Sequence, residues 1–226
     1  MDLLRSIRNL ATRSKANKLS GIKFSKDDNA LQVKMVVVGD SESGKTNLIW
    51  SLYRKTPWIG IGTPSLKYES NEAEVKTPHG DAYIALWDTA AHEDYDRLRP
   101  LIYPETGIVA FVFGIDDPDS LTNLEEKWKL EVDHFCPGVP KVVIGCKSDL
   151  RVGDGAKVNT QAGIELATRL GARHYIECSA QKYVGIEEVL GCVGSLAWEL
   201  YQNKKEKRPP PTSFELSVTL PSEHRP

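Results

Sequence analysis

Short apolar runs and helical stripes alternate along the chain between residues 33 and 203. Runs at 33–38, 107–113, 141–146 and 173–177 read as strands. Two more polar stretches, 67–75 and 80–87, flank the turn cluster Thr77-Pro78-His79-Gly80 and read as a half-exposed hairpin with an antiparallel edge. Helical spacing predicts helices over 45–54, 119–135, 160–170 and 185–203. In the last of these, Ile186, Val189, Leu190, Val193, Leu196, Ala197 and Leu200 form one core-facing stripe. Strands alternating with helices predict an α/β fold: a six-stranded, mostly parallel sheet with one antiparallel edge strand and helices on both faces.

The ends differ from this middle. Residues 1–26 carry seven basic side chains, Arg5, Arg8, Arg13, Lys15, Lys18, Lys23 and Lys26, against Asp2 alone. Leu3, Leu4, Ile7, Leu10 and Ala11 share one helical face there, so the segment suits an anionic membrane surface or packing on the domain. Beyond Lys204 the chain is polar and Pro-rich, a composition that predicts a disordered tail, with a proline ligand for a partner domain as the alternative. The expected parts are a basic extension over 1–31, one domain over 32–203 and a disordered tail over 204–226.

The chain has 226 residues, enough for one domain with a full core, and a net charge of -2, which gives no argument for nucleic acid binding. Cys136, Cys146, Cys178 and Cys192 lack metal-ligand spacing and read as free thiols in a reducing compartment. No apolar stretch is long enough to span a membrane. The Met-Asp start and the Glu-His-Arg-Pro end predict neither a myristoyl nor a prenyl anchor. The expected location is cytoplasmic, with peripheral attachment to the cytosolic face of a membrane as an extension of the basic-helix reading.

The chemistry begins at Gly39-Asp-Ser-Glu-Ser-Gly44-Lys45-Thr46, a G-x-x-x-x-G-K-T loop between the strand at 33–38 and the helix at 45–54. Backbone N–H groups in such a loop cradle phosphates, and the following helix N-terminus adds partial positive charge. Ser41, Glu42, Ser43, Gly44, Lys45, Thr46 and Asn47 are therefore candidate nucleotide-binding residues. Lys45 is suited to the β- and γ-phosphates and Thr46 to Mg²⁺. Asp88, at a strand end in Trp87-Asp88-Thr89-Ala90-Ala91-His92, is suited to hold the same metal through water. In Cys146-Lys147-Ser148-Asp149 the carboxylate of Asp149 can accept two hydrogen bonds from guanine, which adenine does not offer. Ser179, Ala180 and Gln181 follow the last strand, where a backbone N–H can meet the base oxygen.

With these motifs in order, the chain resembles the Ras-like small GTPases and, within them, the Rho family. The Rho-like stretches are Trp87-Asp-Thr, Glu93-Asp-Tyr-Asp-Arg-Leu-Arg-Pro-Leu101, Tyr103-Pro, Gly145-Cys-Lys-Ser-Asp-Leu-Arg151 and Tyr175-Ile-Glu-Cys-Ser-Ala180. The resemblance implies a P-loop G domain that binds GTP or GDP with Mg²⁺ and signals through effectors on cytoskeletal or polarity pathways. It also implies roles for Thr63, as the residue that closes over Mg²⁺ and the γ-phosphate, and for Ala91 and His92, at the positions that meet the γ-phosphate and the attacking water.

Departures from that family are concentrated at the chemistry. Ser41 stands where hydrolysing members have a glycine, and Ala91-His92 stands where they have Gly-Gln. Neutral His92 has one donor and one acceptor, but its ring points them apart. Serine in the phosphate loop and Cys-Lys-Ser-Asp resemble the Rnd subgroup, whose members behave as permanently loaded switches. Cys146 supplies no amide where asparagine is usual, a loss of about 1 kcal/mol. Trp58 or Pro57 replaces the aromatic that packs on guanine, and no segment between Asp149 and Ser179 accommodates the additional helix of most Rho proteins. The expectation is a Rho-type switch, largely GTP-bound, with weak hydrolysis. A conventional cycling GTPase and a nucleotide-free scaffold are the alternatives. Expected partners are effectors through the switch regions, an exchange factor and, through residues 1–26, an anionic membrane; the chain is expected to be a monomer.

Overall fold

The computed structural model describes residues 21–25, 29–60, 71–91, 94, 96–206 and 215–221. Its strands are β1 (Ile22–Ser25), β2 (Ala30–Val38), β3 (Asn71–Thr77), β4 (Gly80–Asp88), β5 (Ile108–Gly114), β6 (Lys141–Cys146), β7 (His174–Cys178) and β8 (Ser217–Thr219). They form one sheet in the order β3-β4-β2-β5-β6-β7-β8, with β1 paired to β2. All pairings among β4, β2, β5, β6, β7 and β8 are parallel, and β3 runs antiparallel to β4 at one edge.

The six expected strands are present, and two more are added. β4 covers β2 along Leu31 to Val37 on one side. On the other side, β5 pairs with Met35 to Val38 and β1 pairs antiparallel with Ala30 to Val33, so two strands share one edge of β2 end to end. The expected boundary at residue 31 thus falls inside β2, and Ile22–Ser25 belongs to the sheet rather than to a separate extension. At the far edge, Ser217–Thr219 pairs in parallel with His174 to Ile176, with Pro221 buried and Leu216 and Leu220 packed against the core. The expected disordered tail therefore contains an ordered strand. The amphipathic pattern at residues 3–11 lies outside the described residues, as does the Pro-rich run from 207 to 214.

Helices α1 (Lys45–Arg54), α2 (Pro118–Asn123), α3 (Lys129–Phe135), α4 (Thr160–Arg169) and α5 (Ile186–Lys205) cover the sheet. A π-helical turn, Leu124–Trp128, joins α2 to α3, so the helix expected over 119–135 is continuous but locally widened. Local chemistry explains several ends. Asp117 caps α2 by accepting from the Asp119 amide, with Pro118 at the first helical position, and Asn159 caps α4 by accepting from Ala162.

Period-two alternation divides the core. Val33, Met35 and Val37 of β2, with Ile108, Ala110 and Val112 of β5, face the cluster formed with α1 and α5. Val36 and Val38, with Val109, Phe111 and Phe113, face the cluster that contains Trp128, Val132 and Leu166. Both faces are covered, which is why these strands read as continuous apolar runs. No helix separates the Ser148–Arg151 turn from α4, as expected of a chain lacking the Rho insert. The carboxyl ends of β2, β4, β5, β6 and β7 lie along one rim of the sheet, and the loops that leave them carry the chemistry.

Candidate functional site

An open cleft of about 920 Å³ lies on that rim. From the phosphate loop and α1 it is lined by Glu42, Gly44, Lys45, Thr46 and Asn47. From the loops after β6 and β7 it is lined by Cys146, Lys147, Asp149, Ala180 and Gln181. These ten belong to the residues expected to hold a nucleotide, and three loops far apart in sequence bring them to one surface. Trp58, Leu150 and Lys182 also line it.

The loop's shape depends on two glycines. Gly39 has φ 147°, and a Cβ there would lie 2.0 Å from the Val112 carbonyl oxygen. Gly44 has φ 102°, and its Cβ would lie 2.9 Å from the Cβ of Cys146. Both positions combine a backbone region that favours glycine with a neighbour that leaves no room. Ser41 and Glu42 are exposed at the loop's crest, whereas Ser43 is buried beneath it.

Lys45 is only 6% exposed, and its ammonium turns back to hydrogen-bond the Asp40 carbonyl, with the Ser43 hydroxyl 3.5 Å away. Burial lowers its pKa to about 8, against the attraction of Asp88 and Asp40. Such a cation, held by neutral acceptors, has the most to gain from an anionic ligand. The Thr46 hydroxyl donates to Asp88 Oδ2 at 2.6 Å, while Asp88 Oδ1 is buried without a hydrogen-bond partner. Burial pushes the Asp88 carboxyl above its ordinary value, opposed by the Thr46 bond and the Lys45 charge. A hard-oxygen pair with one orphaned buried carboxylate oxygen fits Mg²⁺. Thr89 fixes the start of the next segment by donating to the Val37 carbonyl at 2.7 Å, and Ala91, half-buried, packs against the core cluster that contains Trp128. Thr63 and His92 lie outside the described residues.

On the other side of the cleft, Ser179 donates to Asp149 Oδ1 at 2.5 Å, fixing one carboxylate oxygen. The Ser148–Arg151 turn that carries Asp149 is pinned from behind by Arg151, which contacts Glu177 and donates to the Val158 carbonyl. Lys147 has left-handed backbone, φ 68°, and its ammonium bonds Asp116 at 2.8 Å, which anchors its stem along the cleft. The Cys146 thiol lies beneath Gly44, 4.0 Å from the Cys178 sulfur. The backbone N–H of Trp58 donates to the Ala180 carbonyl at 2.8 Å, and its ring meets Trp50 edge-on. Trp58, one of the two residues expected near the base, thus lines the cleft and is held by the loop after β7.

Sequence reasoning missed Asp40, Asn123, Trp128 and Asp116. Asp40 was visible as the polar residue after Gly39. Asn123 and Trp128 are brought to it by a long-range contact that no local pattern signals.

Residues 34–196 match the Ras family. The protein described as GTP-binding protein RHO1 from Candida albicans is 39% identical over 188 residues, which cover 79% of this chain and 94% of that protein. With a phosphate loop, a threonine–aspartate pair and a serine-fixed aspartate on one cleft, the chain belongs to the Ras family and is a small GTP-binding protein of Rho type.

Proposed function

We propose that this protein is a guanine-nucleotide switch that rests largely in the GTP-bound state, hydrolyses GTP weakly and signals through effector proteins. The observation that carries the nucleotide reading is the facing of Lys45 and the Thr46–Asp88 pair against the Ser179-fixed Asp149 across one cleft. Phosphates bind at the amides of the loop from Ser41 to Thr46, with Lys45 turning from the Asp40 carbonyl to the ligand. Asp149 accepts from the guanine N–H groups, the Ala180 amide meets the base oxygen, and Lys147 and Trp58 flank the base. Bound Mg²⁺ supplies positive charge at the phosphates; Thr46 and Thr63 would ligate it directly and Asp88 through water.

Weak hydrolysis is inferred from three residues. Ser41 adds a side chain at the loop crest, Ala91 adds a Cβ beside the γ-phosphate position, and His92 replaces the water-orienting glutamine of hydrolysing members. In GTPases of this superfamily that machinery is worth up to about 10⁵-fold in rate. Exposed Leu98 and Leu101 offer apolar contact area for effectors beside the segment that carries these residues. The basic residues of 1–26 supply attraction for an anionic membrane, tested by comparing vesicle pull-down of the full chain with one starting at residue 28.

The identity of the nucleotide released on denaturing the purified protein, read by ion-pair chromatography, tests the main reading. Predominant GTP is expected. Predominant GDP would make it a cycling GTPase, and an empty site would make it a scaffold.

A further inference from the structure

The Asp40 carboxylate is held at both oxygens by the same helix. Trp128 Nε1 donates to Oδ1 at 2.7 Å, and Asn123 Nδ2 donates to Oδ2 at 2.6 Å. In a regular α-helix, residues five apart point about 140° away from each other; a π turn, at about 4.4 residues per turn, brings them within about 50°. The widened Leu124–Trp128 turn therefore lets one carboxylate receive both donors.

The other face of the Trp128 ring carries Arg99, whose guanidinium carbon lies 4.8 Å from the ring centroid. That guanidinium donates from Nη1 to the Ala90 carbonyl at 2.6 Å and from Nε to Glu131 at 2.6 Å, and it also bonds Asp96. Trp128 is fully buried and the Arg99 side chain is 1% exposed. One indole thus touches two motifs. Its N–H fixes the residue whose carbonyl holds Lys45, and its face supports the cation that holds the peptide before Ala91. A phenylalanine would present a smaller aromatic face to the same cation, so support of Arg99 alone does not require the N–H.

We propose that Trp128 is a positioning residue that couples Arg99 and the Ala90 carbonyl it holds to the phosphate loop, so that displacement of Arg99 loosens Asp40 and speeds nucleotide release. The release part rests on the guanine-nucleotide reading above; the coupling itself does not.

The test uses the full chain with Trp128→Phe, Arg99→Lys and the double variant. Deuterium uptake at the amides of residues 40–44 is measured without nucleotide, with α4 as a control region, alongside dissociation of fluorescent GDP in excess GDP and Mg²⁺. Trp128→Phe is expected to speed exchange at 40–44 by about tenfold, the usual scale for losing a hydrogen bond to a charged group, with α4 unchanged. Arg99→Lys should speed the same amides although it does not touch them, and the double variant should be no faster than Trp128→Phe. GDP dissociation should follow the same order. Unchanged exchange at 40–44 in either single variant, effects that multiply in the double, or equal acceleration in α4 would each overturn the coupling. If the wild-type chain binds no labelled GDP, the nucleotide reading fails while the exchange data still decide the coupling. Should Trp128→Phe not fold, the remote effect of Arg99→Lys on 40–44 decides it alone.

Discussion

Arg151 grips Glu177 with two hydrogen bonds, Nε to Oε2 at 2.7 Å and Nη2 to Oε1 at 2.6 Å, directly behind the turn that carries Asp149. Glu177 is 1% exposed and accepts a further bond from Tyr175. Burial alone would raise its carboxyl, but the Arg151 and Tyr175 bonds outweigh that and hold it below the ordinary value of 4.5. The pair's stabilisation is therefore present above about pH 4.5 and is lost as the pH falls below it. Arg151→Met leaves a buried carboxylate unpaired and should cost about 3–5 kcal/mol, read by urea unfolding at pH 7, with the loss shrinking in acid.

Lys34 gives a pH dependence of the same sign in the alkaline range. Its ammonium bonds the Ile102 and Pro104 carbonyls and lies 4.1 Å from the Trp87 ring centroid, and burial lowers its pKa from 10.5 to about 8. Above pH 8 the unfolded chain binds the proton that the folded chain releases, so stability rises with pH from 8 towards 10.5. Relative to Lys34→Met, the wild type should gain on the order of 2 kcal/mol between pH 8 and pH 10 in denaturant titrations. A pH-independent difference would refute the burial argument.

Asp149→Asn turns an acceptor into a donor at the carboxylate proposed to receive the base N–H groups. Guanine nucleotide affinity should fall by roughly 10²-fold or more, while xanthine nucleotides, which carry an oxygen in place of the amino group, should bind better than guanine. Competition against a fluorescent nucleotide measures both. Unchanged guanine affinity would remove Asp149 from the base site.

Ser41→Gly, Ala91→Gly and His92→Gln combined should raise single-turnover GTP hydrolysis by about tenfold or more, equivalent to about 1.4 kcal/mol of barrier. A flat rate would move the limit to the segment around Thr63.

Truncation after Glu206 removes β8 and bares the β7 edge, along with contacts made by Leu216 and Leu220. Partial burial of two such side chains is worth about 2 kcal/mol, so the unfolding midpoint should drop. An uncovered parallel edge also invites pairing with another chain, so light scattering should show concentration-dependent association absent from the full chain.

The central strands, their order of motifs and the cleft residues from Lys45 to Gln181 were legible because each rests on local chemistry: a phosphate-loop spacing, a strand-end aspartate, an apolar run. β1 and β8 were not. Four residues, Ile22–Ser25, and three, Ser217–Thr219, carry too little periodicity, and a basic surround and a Pro-rich lead-in masked them. Their pairing is decided by unfilled edges of β2 and β7, a property of the assembled sheet. The Trp128–Asp40 contact was equally hidden, since the α-helical spacing used to read 119–135 points Asn123 and Trp128 apart.

The widened turn at Leu124–Trp128 also says something about how this helix tolerates a change in length. A π turn is an α-helix carrying one surplus residue, absorbed without disturbing the phase of the turns on either side. Removing one residue between Glu125 and Lys127 would leave Asn123 and Trp128 four apart, still on one face, and would keep α2 and α3 each in phase with the core. The same deletion inside α3 would swing the residues beyond it by about 100° and take core side chains off the sheet. The chain thus carries a spare position in its reading frame, placed where the helix touches the phosphate loop.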